Sequence, residues 1–106
     1  MLKVGGENVA ASEVEAVILK VPGVREVAVV GQRHKMLDEV PFAFVIATPA
    51  APADLPDRIL AACRAALADF KVPREVRLVE DFPRTIGELK VRKVRLREML
   101  RDEAQA

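Results

Sequence analysis

A chain of 106 residues has the length of one domain, enough for a small hydrophobic core without disulfide support. Its 17 basic and 16 acidic residues nearly cancel to a net +1, so the overall charge lends no support to nucleic-acid or membrane binding. With no Trp, no Tyr and four Phe, the predicted core is aliphatic, and platforms for stacking bases or sugars are scarce. The single cysteine, Cys63, cannot form an internal disulfide, and its place on the apolar face of a predicted helix marks it as a buried, inert thiol. Met1-Leu2-Lys3 runs straight into a glycine turn rather than a signal sequence, and no stretch approaches the ~20 apolar residues of a membrane span. The expectation is a soluble, cytoplasmic chain.

Residues 1–11 form a short extended piece interrupted by Gly5-Gly6, with Leu2–Val4 and Asn8–Ala10 expected to pair as a small hairpin. Ser12-Glu13-Val14-Glu15 has the form of a capping box, with serine at the N-cap and glutamate three residues on. The helix it opens carries Val14, Val17, Ile18 and Val21 on one stripe and ends at Pro22-Gly23. Val24 to about Gly31 and Val40 to about Ala47 are nearly continuous apolar runs, predicted as antiparallel neighbours joined by a polar loop over 32–39.

The proline-rich stretch Thr48–Pro56 has no periodicity and is predicted as a surface loop. A second helix is predicted from about Leu55 to Asp69, with Asp54 as N-cap and Ile59, Cys63, Ala66, Leu67 and Phe70 as its buried stripe; Lys71-Val72-Pro73 breaks it. A third strand is predicted over about Glu75–Val79. After a loop over 81–90, a third helix covers about Lys93–Asp102, with Val94, Met99 and Leu100 as its apolar residues and the arginines outward. The predicted fold class is α+β: a small, mostly antiparallel three-stranded sheet with about three packed helices, plus a short N-terminal hairpin.

Few side chains announce chemistry. His34 has no second histidine for a metal site and no nucleophile at suggestive spacing, so it reads as a solvated loop residue and no metal ligands are assigned. Asp38 and Glu39 are an ordinary pair of turn carboxylates, and no Gly-x-x-x-x-Gly-Lys cradle is present. From Arg84 to Arg101 seven basic residues (Arg84, Lys90, Arg92, Lys93, Arg95, Arg97, Arg101) face two acids (Glu88, Glu98), a pattern usual for a solvated helix face. The Gly5-Gly6-Glu7-Asn8 turn has two readings: glycine for a tight hairpin, or a bare backbone past which a narrow ligand slides, with Lys3 beside it as a point cation for phosphate. Lys90 is likewise either soluble surface or a flexible cation able to stabilise developing negative charge.

Taken together, these segments resemble a known family. Lys3-Val4-Gly5-Gly6-Glu7-Asn8-Val9 followed by Ser12-Glu13-Val14-Glu15 is similar to the start of the C-terminal domain of acyl-CoA synthetases, members of the adenylate-forming superfamily of AMP-dependent ligases. Val21-Pro22-Gly23-Val24 leading to Ala28-Val29-Val30-Gly31, Glu39-Val40-Pro41 with Phe42–Val45, and Phe70-Lys71-Val72-Pro73-Arg74 look like the segments that follow, so the resemblance runs from residue 1 to about 101.

The resemblance implies that 1–106 is a single mobile C-terminal domain, acting beside an N-terminal adenylation domain that binds ATP, its Mg2+ and the carboxylic acid substrate and that lies outside this chain. It implies two half-reactions, formation of an acyl-adenylate with release of pyrophosphate and transfer of the acyl group to the pantetheine thiol of coenzyme A, with the small domain rotating between them. By position, Lys90 matches the adenylation lysine, and Gly5 and Gly6 match the turn facing the pantetheine. Lys3 is implied as a phosphate contact, and Arg84 and Thr85 match the start of the lysine loop. Four residues, Ile86-Gly87-Glu88-Leu89, separate Thr85 from Lys90, where the family usually has three ending in glycine. Lys90-Val91-Arg92-Lys93 with Leu96-Arg97-Glu98 downstream selects Lys90, and Lys93 is the alternative. Coenzyme A and a carrier-protein pantetheine both fit as acceptor. The competing functional classes are a non-catalytic interaction module with the same fold and, more remotely, a nucleic-acid binder using the Arg84–Arg101 stretch.

Overall fold

The computed structural model describes residues 1–82 and 93–105. Its elements, in order, are β1 (Leu2–Val4), β2 (Glu7–Val9), α1 (Ala11–Leu19), β3 (Val24–His34), β4 (Asp38–Ala47), α2 (Leu55–Ala66), a short 3-10 turn (Asp69–Lys71), β5 (Glu75–Leu78) and α3 (Lys93–Gln105). The α+β class holds, with one enlargement. Among the described residues the sheet has five strands in place of three, because the N-terminal hairpin joins it through Val4 opposite Asp38. β3 and β4 pair antiparallel over their whole length, from Val24 opposite Ala47 to His34 opposite Asp38. β5 runs parallel to β4, with Phe42 opposite Glu75 and Val45 opposite Leu78. The helical crossover through α2 makes this possible, since parallel neighbours need a long connection, usually a helix.

β4 is buried from Val40 to Ile46, and its alternation divides the interior into two cores. Ala43 and Val45 face α1 and α2, where they meet Val14, Ile18, Leu55, Ile59 and Cys63. Phe42, Phe44 and Ile46 face the opposite side and pack with Ala28, Val30, Phe82, Leu96 and Leu100. Each large side chain buried here contributes roughly 1.5–3 kcal/mol relative to exposure. The Cys63 thiol is fully buried, and desolvation raises its pKa, which makes it a poor nucleophile.

Several local expectations give way to tertiary contacts. α1 begins at Ala11 with Ala10 as N-cap, and no side chain caps it. Ser12 therefore lies inside the helix, and the Glu15 carboxylate accepts the Val29 N–H at 2.8 Å instead of closing a capping box. Asp54 does occupy the N-cap of α2, but its carboxylate binds the Arg58 side chain at 2.8 Å rather than the helix backbone. α2 stops at Ala66, which is exposed, because Leu67 turns extended and lets Leu67 and Phe70 reach the core. The predicted loop over 32–39 shrinks to a turn, since Gln32–His34 and Asp38–Glu39 continue the two strands. On α3 the buried pair is Leu96 and Leu100, one helical turn apart, while Val94 and Met99 are exposed.

Arg77 holds the C-terminal end of α3 to the sheet. Its guanidinium lies 5.0 Å from the Phe42 ring centroid, and it binds Glu103 at 2.6 Å and Glu75 at 3.3 Å. The hydrogen bond to Arg77 lowers the Glu103 pKa. A carboxyl whose folded pKa is depressed adds stability above its unfolded value and loses it as pH falls through the folded value. Replacing Arg77 with alanine should therefore lower the midpoint of chemical denaturation at neutral pH, from lost ring stacking and ion pairing. The difference between wild type and variant should narrow on acidification below the ordinary carboxylate range. A variant as stable as wild type, or a gap that widens in acid, would contradict this assignment.

Candidate functional site

The glycine turn is built by conformation first. Gly5 has φ of +56° and Gly6 of +87°, left-handed values that side-chain-bearing residues rarely adopt. The two positions then differ. A Cβ on Gly5 would sit 3.2 Å from Leu37 Cδ2, whereas a Cβ on Gly6 would meet nothing within 4 Å. Gly5 is thus favoured by a tight approach to Leu37 as well as by φ, and Gly6 presents a bare backbone to open space.

The turn docks onto the β3–β4 connection. The Gly5 N–H donates to the Leu37 carbonyl at 2.9 Å, and the Glu39 N–H donates to the same oxygen at 2.8 Å. That connection is held by His34, whose Nδ1 accepts the N–H groups of Met36 and Leu37, each at 3.1 Å. His34 is therefore a turn-locking residue rather than a solvated loop histidine, and Asp38 completes the turn with a φ of 65°. The only sequence signal was its position two and three residues ahead of the N–H groups it accepts.

Behind the turn, Val4, Gly5, Leu37, Phe70, Val72 and Pro73 line a groove of about 660 Å3 that also carries Glu7, Arg64, Asp69 and Arg74. The fold thus brings the Gly5-Gly6 turn and the Phe70–Arg74 segment, distant in sequence, to one surface. Two contacts fix that segment: the Arg74 N–H donates to the Pro41 carbonyl at 2.8 Å, and Lys71 Nζ pairs with Glu13 at 2.9 Å. Groove residue Arg64 was not singled out from the sequence. It lies on the exposed side of α2, and nothing local distinguishes it from the other arginines.

Lys3 is not brought into this groove. It is exposed on β1, and by strand alternation it faces away from Leu2 and Val4. Its main-chain N–H donates to Glu39 Oε1 at 3.2 Å. Gly31 makes room for that contact, since a Cβ there would overlap the Glu39 carboxylate. Lys90, with Arg84 and Thr85, lies outside the described residues. Lys93, the alternative cation, is paired through Nζ with Glu15 at 2.8 Å. Among the described residues, no group of three or more His, Cys, Asp or Glu side chains could hold a metal ion. No helix among them is long and apolar enough to cross a membrane.

Known proteins share this fold. Residues 13–87 match the family model of the AMP-binding enzyme C-terminal domain. The chain is 45% identical over 95 residues to the peroxisomal trans-cinnamate:CoA ligase of Petunia hybrida, covering 90% of this chain and 16% of that protein. It is similar to ATP-bound MatB from Rhodopseudomonas palustris, with a TM-score of 0.90 at 36% identity over 97% of this chain and 20% of that one. It is also similar to o-succinylbenzoate CoA synthetase from Bacillus subtilis bound with its product analogue, with a TM-score of 0.79 at 29% identity over 92% of this chain and 19% of that one. The chain spans a fifth or less of the length of these relatives. It belongs to the family of AMP-binding enzyme C-terminal domains found in adenylate-forming ligases.

Proposed function

We propose that this chain is the mobile C-terminal domain of an AMP-forming acyl-CoA ligase, working against a larger N-terminal domain that holds ATP and the carboxylic acid. The observation that supports this reading most is the pairing of Gly5 with the Phe70–Arg74 segment around one groove, with the open Gly6 backbone next to Gly5 in the turn. The residues present fit a pantetheine. Val4, Phe70, Val72 and Pro73 offer apolar contact to a slender arm, and Arg64 and Arg74 offer charge to anionic groups attached to it. The nucleotide and the product analogue in the similar ligases fit the same reading.

In the first half-reaction the substrate carboxylate attacks the α-phosphate of ATP and pyrophosphate leaves. Both reactants are anionic, and Lys90 is the cation that screens their approach and stabilises the charge of the transition state. Lys93 is less suited to that task, since its ammonium is engaged by Glu15. In the second half-reaction the pantetheine thiol attacks the acyl carbon, AMP leaves and the thiol proton is released. Here the glycine turn borders the channel, and the missing side chain at Gly6 keeps it open. Rotation of the domain between the two orientations gates the steps. The acid is selected by a pocket in the other domain.

Two variants of the full-length ligase test these roles separately. Lys90→Ala should lower ATP–pyrophosphate exchange by a factor of about 100 or more while sparing thioester formation from supplied acyl-adenylate. Undiminished exchange would remove Lys90 from the mechanism. Gly6→Leu faces open space within this domain, so it should cost only about 1 kcal/mol of backbone strain. It should nevertheless depress thioester formation at least ~10-fold with exchange retained. Normal turnover in both half-reactions would refute the pantetheine role and favour an interaction module.

A further inference from the structure

His34 stands at the head of a hydrogen-bond chain that ends at the glycine turn. Its Nδ1 accepts the N–H groups of Met36 and Leu37, each at 3.1 Å. The Leu37 carbonyl in turn accepts the Gly5 N–H at 2.9 Å and the Glu39 N–H at 2.8 Å. The Leu37 side chain completes the seat, since its Cδ2 lies 3.2 Å from where a Cβ on Gly5 would be. Leu37 and Gly5 both line the groove. Asp38, next in the chain, is held at a φ of 65°, a conformation unfavourable for a residue with a side chain, and the bonds at Nδ1 help to offset it.

Both bonds at Nδ1 require one charge state. A neutral imidazole has one acceptor nitrogen, and an imidazolium has none, because both nitrogens then carry hydrogen. Protonation of His34 would turn Nδ1 from the acceptor of two N–H groups into a third donor facing them. Donors left without an acceptor are costly away from water, so acid favours the released turn, in which they are hydrated. Among the described residues the charged groups around it, Arg33 and Lys35 beside it in the chain and Asp38 and Glu39 at the start of β4, are two of each sign. They do not alter the acceptor count at Nδ1. Histidine is the side chain that ordinarily changes charge between about pH 5 and 8.

We propose that His34 is a positioning residue for the thioester half-reaction: as a neutral imidazole it locks Leu37, and through Leu37 it holds the glycine turn beside the pantetheine channel, releasing it on protonation. The inference rests on the reading of the glycine turn given above. It adds a residue that acts on the groove through Leu37, and a pH dependence that the turn alone does not have.

Two substitutions in the full-length ligase separate the acceptor from the charge. In His34→Asn the side-chain oxygen accepts the same two N–H groups, as asparagine does in turns, and does not titrate. His34→Phe keeps a ring and removes the acceptor. Near neutral pH, His34→Phe should lower thioester formation from supplied acyl-adenylate about ten-fold and change ATP–pyrophosphate exchange less than about two-fold, while His34→Asn keeps both. The ratio of wild-type to His34→Asn thioester rates should fall at least ~3-fold from about pH 8 to about pH 5.5; the coenzyme A thiol titrates alike in both proteins and cancels. Amide hydrogen exchange at matched pH should show peptide 3–9 losing protection in His34→Phe. A ratio flat with pH, or equal losses of the two half-reactions in His34→Phe, would overturn the inference and leave His34 as a structural lock. If peptide 3–9 lost protection while thioester formation kept its wild-type rate, the pantetheine reading of the glycine turn would fall and the positioning role with it. If peptide 3–9 kept full protection, the coupling from His34 through Leu37 to Gly5 would itself be wrong.

Discussion

The structure depends on the burial of β4. This strand pairs with β3 on one side and with β5 and the tip of β1 on the other, so every strand except β2 is bonded to it. Its residues from Val40 to Ile46 are inaccessible, and they feed two separate cores by simple alternation. A one-residue slip would exchange Phe42 and Phe44 with Ala43 and Val45, putting rings where α1 and α2 leave room only for small side chains. The register is therefore fixed by volume as well as by hydrophobicity, and the positions of the surrounding elements follow from it.

The candidate site inherits its geometry from the start of that strand. Asp38, in a left-handed conformation, lets the chain turn from β3 into β4, and the two bonds to His34 hold the turn. Leu37 then presents its carbonyl and side chain to Gly5. Two residues on, Glu39 folds over Gly31 to take the main-chain N–H of Lys3. Thus the glycine turn is supported by a neighbouring turn rather than by its own two short strands. Because a two-stranded ribbon alone is marginal in water, that support lets a turn without side chains keep one conformation.

Much of this was legible in the sequence. The stripe Val14, Val17, Ile18 and Val21 identified the core face of α1, and the apolar runs located β3 and β4 because burial on both faces leaves no other pattern. The left-handed demand at Gly5-Gly6 could also be read, since paired glycines signal it directly. What could not be read were choices decided by partners far away in the chain. Glu15 fits a capping box locally, but the Val29 N–H on β3 claimed its carboxylate. His34 looked solvated until its neighbours' N–H groups had to be satisfied within a tight turn. The Leu96–Leu100 spacing was visible and was the better guide to α3, whereas Val94 and Met99 were hydrophobic without sharing that face. Lys90 and the groove stand on different footing, since the groove is built from described residues and Lys90 is assigned by resemblance of motif.

The central claim, that the glycine turn and the Phe70–Arg74 segment form the face presented to the pantetheine, is tested most directly by amide hydrogen exchange on the full-length ligase. Exchange would be compared in the presence of ATP with the acid and in the presence of coenzyme A with a non-reactive adenylate analogue. The account predicts that peptides spanning residues 3–9 and 69–75 gain protection together, and only in the coenzyme A state. Protection of those peptides to the same degree in both states, or in neither, would contradict it.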